Sequence, residues 1–125
     1  MTTLFVYGTL MQGMRNHMYL EKAKFVGPAK TKPEFELLFN GSVPAAKVGS
    51  ESISGEVYEV DDETLAGLDV VEEVSSALYV KHEVMLENGT KAVIYLGGER
   101  MFAADTWEHV PDGDYRKMME SKRTA

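Results

Sequence analysis

Two adjacent glutamates, Glu72 and Glu73, end the segment LDVVEE at residues 68–73 and offer carboxylates for proton transfer. Paired acids at the end of a helix usually lie in solvent, because negative charge there opposes the helix dipole. Val71 precedes the pair and Val74 follows it, so the surroundings are apolar. We therefore expect one carboxyl group to point inward while the other stays in water. A carboxyl group removed from water has a raised pKa and can act as a general base near neutral pH.

The second feature that could carry chemistry is the break in TLFVYGTL, residues 3–10, where a strand-like run ends at Tyr7-Gly8-Thr9-Leu10. A glycine directly after a buried strand admits backbone conformations closed to other residues and lets a ligand approach closely. Successive exposed N–H groups at such a turn can bind an anion. A plain sharp turn would produce the same letters, and the motif alone does not separate the two interpretations.

Other common reaction chemistries have no support in the sequence. The chain has no cysteine, which removes thiol nucleophiles, disulfides and thiolate zinc sites. The segment GTLMQG lacks the lysine and the serine or threonine of a Walker loop. His17, His82 and His109 are scattered without metal-ligand spacing, and nothing nominates a serine triad. We therefore expect no metal and no cofactor. We expect His82, which alternates with Val80 and Val84, in the core or at its rim.

Length and charge restrict the class of protein. The 125 residues suit one domain over residues 1–125. The net charge of −7 argues against nucleic-acid binding, because such proteins display a basic surface. No stretch approaches about 18 consecutive apolar residues, so we expect no membrane span. The opening MTTLFVYG lacks the positive region of a secretion signal, and we expect a cytoplasmic location. The sequence does not reveal the oligomeric state.

The segment SGEVYEVDDETLAGLDVVEE, residues 54–73, predicts a strand followed by a short helix. Gly55–Val60 has the composition of a strand, and Asp61 or Asp62 is a good N-cap. Three apolar side chains would then share one side of the helix: Leu65, Leu68 and Val71. Gly67 weakens that helix.

Residues 77–98, ALYVKHEVMLENGTKAVIYLGG, predict a β-hairpin with its turn at Asn88-Gly89. Strict alternation in the first strand places Leu78, Val80 and Val84 on one face and Tyr79 on the other. If the apolar face fills the core, Tyr79 points away from it, unless a bulge intervenes or Tyr79 lies at the rim. Prolines elsewhere predict sheet edges or bends: Pro28, Pro33 and Pro44.

These elements amount to six or seven short strands with one or two helices. They predict an α+β fold, a small mixed β-barrel with short helices packed outside, which can hold one small ligand at its mouth. Periodicity is lost after residue 98, so we expect loops and one short helix over residues 99–125. Trp107 and Tyr115 are expected to pack this tail against the barrel.

In combination, YGTL, GEVY and the LDVVEE segment ahead of Tyr79 resemble the γ-glutamyl cyclotransferase-like family, and most closely its γ-glutamylamine cyclotransferases. The matching segments follow in order: VYGTLMQGMRNHMYL, GEVYEV, LAGLDVVEE, LYVKHEV and AVIYLGG. The resemblance covers nearly all of residues 1–98, and the tail matches poorly. It implies a small β-barrel surrounded by helices, in agreement with the predicted elements.

The resemblance also implies a reaction and the residues that perform it. Family members release an amine or an amino acid from a γ-glutamyl group while the glutamyl part closes to 5-oxoproline. The family's catalytic glutamate falls on Glu72. The residues implied for substrate binding are Tyr7, Gly8, Thr9, Leu10, Tyr79 and Tyr95. Relatives commonly have glycine after the glutamate, whereas Glu73 follows here, which leaves open whether Glu73 shares or replaces the role of Glu72.

In this reaction the substrate's own α-amine attacks its γ-carbonyl group, so the protein needs no serine or cysteine nucleophile. The α-ammonium has a pKa of about 7.7–8.0 and an ordinary glutamate about 4.3, a gap that corresponds to roughly 4.6 kcal/mol against proton transfer. Burial can raise a carboxyl pKa by up to ~3–5, which is enough to close the gap. We therefore expect Glu72 to be substantially buried.

Three functions remain open. The first is a γ-glutamylamine cyclotransferase that releases a free amine, for example lysine from γ-glutamyl-ε-lysine, and the acidic composition leans slightly toward it. The second is a cyclotransferase that acts on γ-glutamyl amino acids. The third is a member without catalysis that binds a small ligand or serves as an interaction module.

Overall fold

The computed structural model describes residues 1–73 and 78–124. Val74, which was expected beside the glutamate pair, lies outside the described residues. The strands are β1 Thr2–Val6, β2 Lys24–Lys30, β3 Phe35–Phe39, β4 Pro44–Val48, β5 Ser54–Val60, β6 Tyr79–Met85, β7 Lys91–Gly97 and β8 Glu108–His109. The α-helices are α1 Asp62–Val71, α2 Glu99–Ala104 and α3 Tyr115–Thr124, and 3₁₀ turns lie at His17–Leu20 and Pro111–Gly113.

All eight strands belong to one mixed sheet, with the order β2-β5-β1-β7-β4-β3-β8 and with β6 paired to β7. Parallel pairing joins β7 to both β1 and β4, through Leu4 opposite Val93 and Ala46 opposite Leu96. A bridge between Thr31 and Leu86 brings the ends of β2 and β6 together. The sheet therefore curls into a small barrel with short helices outside, and the predicted α+β fold is confirmed.

Local sequence signals set several elements as expected. Asp61 is the N-cap of α1, where its side chain accepts the Thr64 N–H at 2.7 Å. The hairpin turns at Asn88-Gly89, and Gly89 has a φ of +86°, which glycine adopts without strain. Pro28 lies in the edge strand β2, and Pro44 is the first residue of β4, both positions that tolerate proline.

The tail beyond residue 98 is more regular than expected, because it contains α2, β8 and α3 rather than loops with one short helix. Asp114 starts α3, since its side chain accepts the Lys117 N–H at 3.0 Å. Tyr115 is buried and packs against Phe39 of β3, with ring centroids 5.9 Å apart, and Trp107 packs against the core beside Phe102. The predicted packing of the tail against the barrel is thus confirmed, and its predicted irregularity is wrong.

Strand β6 does not bury the face that alternation suggested. Its register with β7 runs from Tyr79 opposite Gly97 to Met85 opposite Lys91 without a bulge. Tyr79 is buried, whereas Val80 and His82 are exposed, so the expected core or rim position of His82 is wrong. Within β6 the buried residues are Tyr79 and Val84, near its two ends.

No helix within the described ranges combines the length and the apolar character that crossing a bilayer requires.

Two glycine-to-alanine changes should have opposite effects on stability. Gly67 lies in α1 with nothing near its missing Cβ, so Gly67→Ala should raise the free energy of unfolding by about 0.5–1 kcal/mol. At Gly55 a Cβ would contact the Val6 carbonyl oxygen and lie 2.7 Å from Phe5 Cζ, so Gly55→Ala should lower it by about 1–3 kcal/mol. Urea unfolding of both variants measures the difference, and a stabilising Gly55→Ala would contradict this packing.

Candidate active site

A cavity of about 180 Å³ opens where β1 ends, beside the C-terminal end of α1. All the residues that the resemblance implied line this one cavity: Tyr7, Gly8, Thr9, Leu10, Glu72, Tyr79 and Tyr95. They come from the segment that follows β1, the C-cap of α1, β6 and β7, so the curled sheet is what brings them together.

Glu72 and Glu73 separate as expected, one toward the protein and one toward water. Glu72 is the C-cap of α1, and its N–H donates to the Leu68 carbonyl oxygen at 2.8 Å. Its side chain is half-buried in the cavity, and this burial raises the pKa of the carboxyl group from 4.5 to about 7. Glu73 is exposed at the rim. The structure therefore presents Glu72 as the acid suited to exchange a proton at neutral pH.

The backbone of Glu73 has the left-handed conformation that ends many helices. Glu73 directly follows the C-cap and has a φ of +51°, in the left-handed region that favours glycine. The chain leaves α1 through this residue, with the Glu73 side chain exposed and the Glu72 side chain half-buried.

The Tyr-Gly-Thr-Leu segment forms a turn in which the Met11 N–H donates to the Gly8 carbonyl oxygen at 3.1 Å. The Asn16 N–H donates to the Thr9 carbonyl oxygen at 2.9 Å and holds the turn from outside. By contrast, the N–H groups of residues 8, 9 and 10 donate to no acceptor within residues 1–73 and 78–124. Three successive backbone donors thus lie in the cavity wall without a protein partner, as an anion-binding turn requires.

Gly8 is required here by packing. A Cβ at this position would lie 2.5 Å from Cγ of Pro44, the first residue of β4. The group that excludes a side chain at Gly8 is therefore a neighbouring strand, which refines the expectation that glycine makes room for a ligand.

Tyr7 ties the end of β1 to the two strands beside it. Its hydroxyl group donates to the Tyr95 carbonyl oxygen at 2.6 Å and accepts the Ala46 N–H at 3.1 Å. Tyr79 likewise donates to the Pro44 carbonyl oxygen at 2.9 Å. Burial raises the pKa of both tyrosines above the ordinary range, so both hydroxyl groups keep their protons. These two side chains thereby fix the cavity wall through backbone groups.

Asp69, which the sequence reasoning did not single out, connects α1 to the hairpin. Its Oδ1 accepts the Tyr95 hydroxyl at 2.7 Å, and its Oδ2 pairs with Lys81 Nζ at 2.9 Å. Asp69 precedes Glu72 by three positions and so shares its side of the helix. The contact therefore sets where the end of α1, and with it Glu72, lies against β6 and β7.

Asn16 is a second residue that the sequence reasoning missed. It lines the cavity, and its Nδ2 donates to Thr9 Oγ1 at 3.1 Å. Its position in VYGTLMQGMRNHMYL, seven residues after Thr9, was the available signal. Among the described residues, no cluster of histidine and acidic side chains could hold a metal ion.

Comparisons with known proteins agree with this geometry. The family model described as "Gamma-glutamyl cyclotransferase, AIG2-like" matches residues 4–117. A "Putative gamma-glutamylcyclotransferase" of Vibrio cholerae is 48% identical over 71 residues, 57% of this chain and 62% of that protein. The "Gamma-L-glutamyl-butirosin B gamma-glutamyl cyclotransferase" of Niallia circulans is 38% identical over 74 residues, 58% of this chain and 47% of that protein. The chain thus spans less than two thirds of the length of these curated relatives.

The crystal structure of an uncharacterized protein from Pyrococcus horikoshii is similar over almost the whole chain. Its TM-score is 0.83 at 29% sequence identity, with 99% of this chain and 98% of that chain covered.

The raised pKa of Glu72 should be visible in the stability of the protein. The folded state holds this proton up to a pH of about 7, whereas an ordinary glutamate releases it near 4.5, so stability falls as the pH rises through that window. Glu72→Gln should remove this part of the pH dependence and raise the free energy of unfolding at pH 8 by up to about 3 kcal/mol. Urea unfolding between pH 4 and pH 8 measures it. Glu73→Gln is the matched control, and equal curves for the two variants would contradict a buried Glu72.

Proposed function

The chain belongs to the gamma-glutamyl cyclotransferase, AIG2-like family, and from that membership we propose that it is a γ-glutamyl cyclotransferase that uses Glu72 as its general base. The observation that carries the proposal is the presence, in one cavity, of a glutamate with a pKa of about 7 and three backbone N–H groups without protein partners. The substrate would be a small molecule with a γ-glutamyl group.

The proposed reaction needs no protein nucleophile. The α-nitrogen of the substrate forms a bond to its own γ-carbonyl carbon, and the bond from that carbon to the leaving nitrogen breaks. The products are 5-oxoproline and a free amine or amino acid. Glu72 accepts the first proton that the α-ammonium loses and returns it to the departing nitrogen, and the attacking nitrogen loses its second proton as the lactam forms, so that the amine leaves as an ammonium ion. Holding the glutamyl chain in its ring-closing conformation contributes an effective molarity of up to ~10⁵–10⁸ M.

The electrostatics of Glu72 suit this proton transfer. A pKa of about 7 lies just below the pKa of about 7.7–8.0 of an α-ammonium, so the remaining gap is only about 1 kcal/mol. An ordinary glutamate would face roughly 4.6 kcal/mol for the same step. Burial of Glu72 therefore supports its role as the proton acceptor.

The turn after β1 is proposed to hold the negative groups of the substrate. The unpartnered N–H groups of Gly8, Thr9 and Leu10 would donate to the α-carboxylate or to the oxyanion that develops on the γ-carbonyl. Each well-placed donor of this kind contributes about 2.7–4 kcal/mol in known enzymes. Tyr79 and Tyr95 would form the apolar wall against the glutamyl chain.

For the leaving group we propose an amine, with lysine from γ-glutamyl-ε-lysine as the example, ahead of γ-glutamyl amino acids. Groups of opposite charge lie by the mouth of the cavity. Glu73 lines its rim, and Arg15 donates to the Ser42 carbonyl oxygen at 2.9 Å, next to Val43 in the wall. These charges suit a leaving group that ends in both an ammonium and a carboxylate, as lysine does when linked through its ε-nitrogen.

Glu72→Gln should lower 5-oxoproline release from γ-glutamyl-ε-lysine by about 10²–10⁴-fold, because the amide cannot accept the proton. Wild-type kcat/KM should rise with pH up to about 7 as Glu72 ionises. Glu73→Gln should keep the same pH profile and lower kcat/KM by at most about tenfold, because it removes a charge at the cavity mouth and leaves Glu72 in place. Chromatographic detection of 5-oxoproline measures turnover, and a fully active Glu72→Gln would refute the assignment. Binding of substrate without turnover by the wild type would instead favour the non-catalytic alternative.

The leaving group can be identified with three substrates that share the γ-glutamyl part. We expect kcat/KM to decrease from γ-glutamyl-ε-lysine, through γ-glutamylcadaverine, which lacks only the lysine carboxylate, to γ-glutamylalanine. The first pair isolates the effect of the carboxylate, because loss of one charge-assisted contact lowers kcat/KM by about tenfold. The highest value for γ-glutamylalanine would assign the protein to the amino-acid-releasing class.

A further inference from the structure

Glu56 in β5 is a buried carboxylate, 3% exposed, and it is not among the residues that line the cavity. Its Oε1 accepts hydrogen bonds from the Gln12 N–H at 2.9 Å and from the Tyr58 hydroxyl at 3.0 Å. Its Oε2 pairs with Arg116 Nη1 at 3.1 Å. A buried charge with this many partners belongs to a defined network.

Glu56 and Arg116 bind the two backbone polar groups of Gln12. Its N–H donates to Glu56, and its carbonyl oxygen accepts a hydrogen bond from Arg116 Nη2. Arg116 thus uses its two terminal nitrogens on two partners at once, a fork that lysine cannot reproduce. Three segments that are distant in sequence meet at one backbone unit: the loop after β1, strand β5 and helix α3.

The contacts of Glu56 and Arg116 with Gln12 bear on the turn at residues 8–11, because Gln12 lies next to it. Gln12 directly follows the turn in which the Met11 N–H closes on the Gly8 carbonyl oxygen. The start of that turn is fixed by the Tyr7 hydroxyl, which bonds the Tyr95 carbonyl oxygen and the Ala46 N–H. The network at Gln12 fixes its other end. The unpartnered N–H groups of residues 8–10 lie between these two fixed points.

We infer that Glu56 and Arg116 are positioning residues that hold the ligand-facing turn in its binding conformation, which makes α3 a part of the substrate-binding unit. The inference rests on the proposed function only where it refers to substrate; the constraint on the turn is a property of the chain alone. Neither residue touches the cavity, so both act through Gln12.

Amide hydrogen exchange tests the constraint without any substrate. Arg116→Lys keeps the positive charge beside Glu56 but loses the fork, so exchange at the Met11 and Asn16 N–H groups should speed up by about tenfold. Exchange in β7 should not change, which separates a loosened turn from general unfolding. Lys122→Gln is the matched control, because it breaks an exposed ion pair of α3 with Glu108, 3.3 Å long and away from the turn.

Activity gives the second readout. With γ-glutamyl-ε-lysine, Arg116→Lys should raise KM by about tenfold, because the donors that hold the substrate are no longer preorganised. The pH dependence of kcat should stay that of the wild type, since Glu72 is not touched. Lys122→Gln should match the wild type in both.

Each outcome decides the inference. Unchanged exchange at Met11 and Asn16 in folded Arg116→Lys overturns it, as does an equal effect of Lys122→Gln. If Arg116→Lys does not fold, the double variant Glu56→Gln/Arg116→Gln, which leaves no unpaired buried charge, is measured in the same way. Failure of both to fold identifies the pair as a general stability element and overturns the inference. Suppose that exchange is faster in Arg116→Lys but the wild-type protein does not turn over γ-glutamyl-ε-lysine. That result refutes the proposed function and leaves the inference standing.

Discussion

The hydroxyl group of Tyr7 is the contact on which the site depends. Along one edge, strand β7 pairs first with β1, near Val93, and then with β4, near Leu96. Because both strands use the same edge, β1 must end where the pairing with β4 begins. The hydroxyl stands at this change of partner, between an acceptor on β7 and a donor on β4. It satisfies backbone groups that would otherwise be buried without partners. Because β1 ends there, the N–H groups of residues 8–10 take no part in the sheet.

The position of Glu72, at the other wall of the cavity, is determined by the way helix α1 ends. Helix α1 must end at Glu72, since the next residue adopts a left-handed backbone, a conformation that costs a non-glycine residue roughly 1–2 kcal/mol. Asp69 then fastens the last turn to Tyr95 and Lys81. The fold thus accepts local strain and a destabilising buried acid at the site, and the well-packed sheet around Leu4, Phe5 and Ile94 offsets both.

The sequence predicted those features that are decided locally. Asp61 caps its helix and Asn88-Gly89 turns its hairpin through nearest neighbours alone, and the apolar surroundings of the glutamate pair predicted that one of the two acids would point inward. Features decided by distant partners were not predictable in this way. Gly8 is packed against Pro44, the middle of β6 with His82 is exposed, and two partners of Glu56 come from residues 12 and 116. A single sequence does not show such contacts, since they exist only once the sheet has curled.

Glu56 and Glu72 show how one fold places the same side chain in two different environments. Glu56 receives an amide, a phenol and a guanidinium, so its lone pairs are already occupied by the protein. These bonds make Glu56 a structural link between the loop after β1, β5 and α3. Glu72 is removed from water without an opposite charge in compensation, and burial therefore raises its pKa to about 7. Uncompensated burial in a cavity, rather than burial alone, is what distinguishes the acid able to exchange a proton with a substrate.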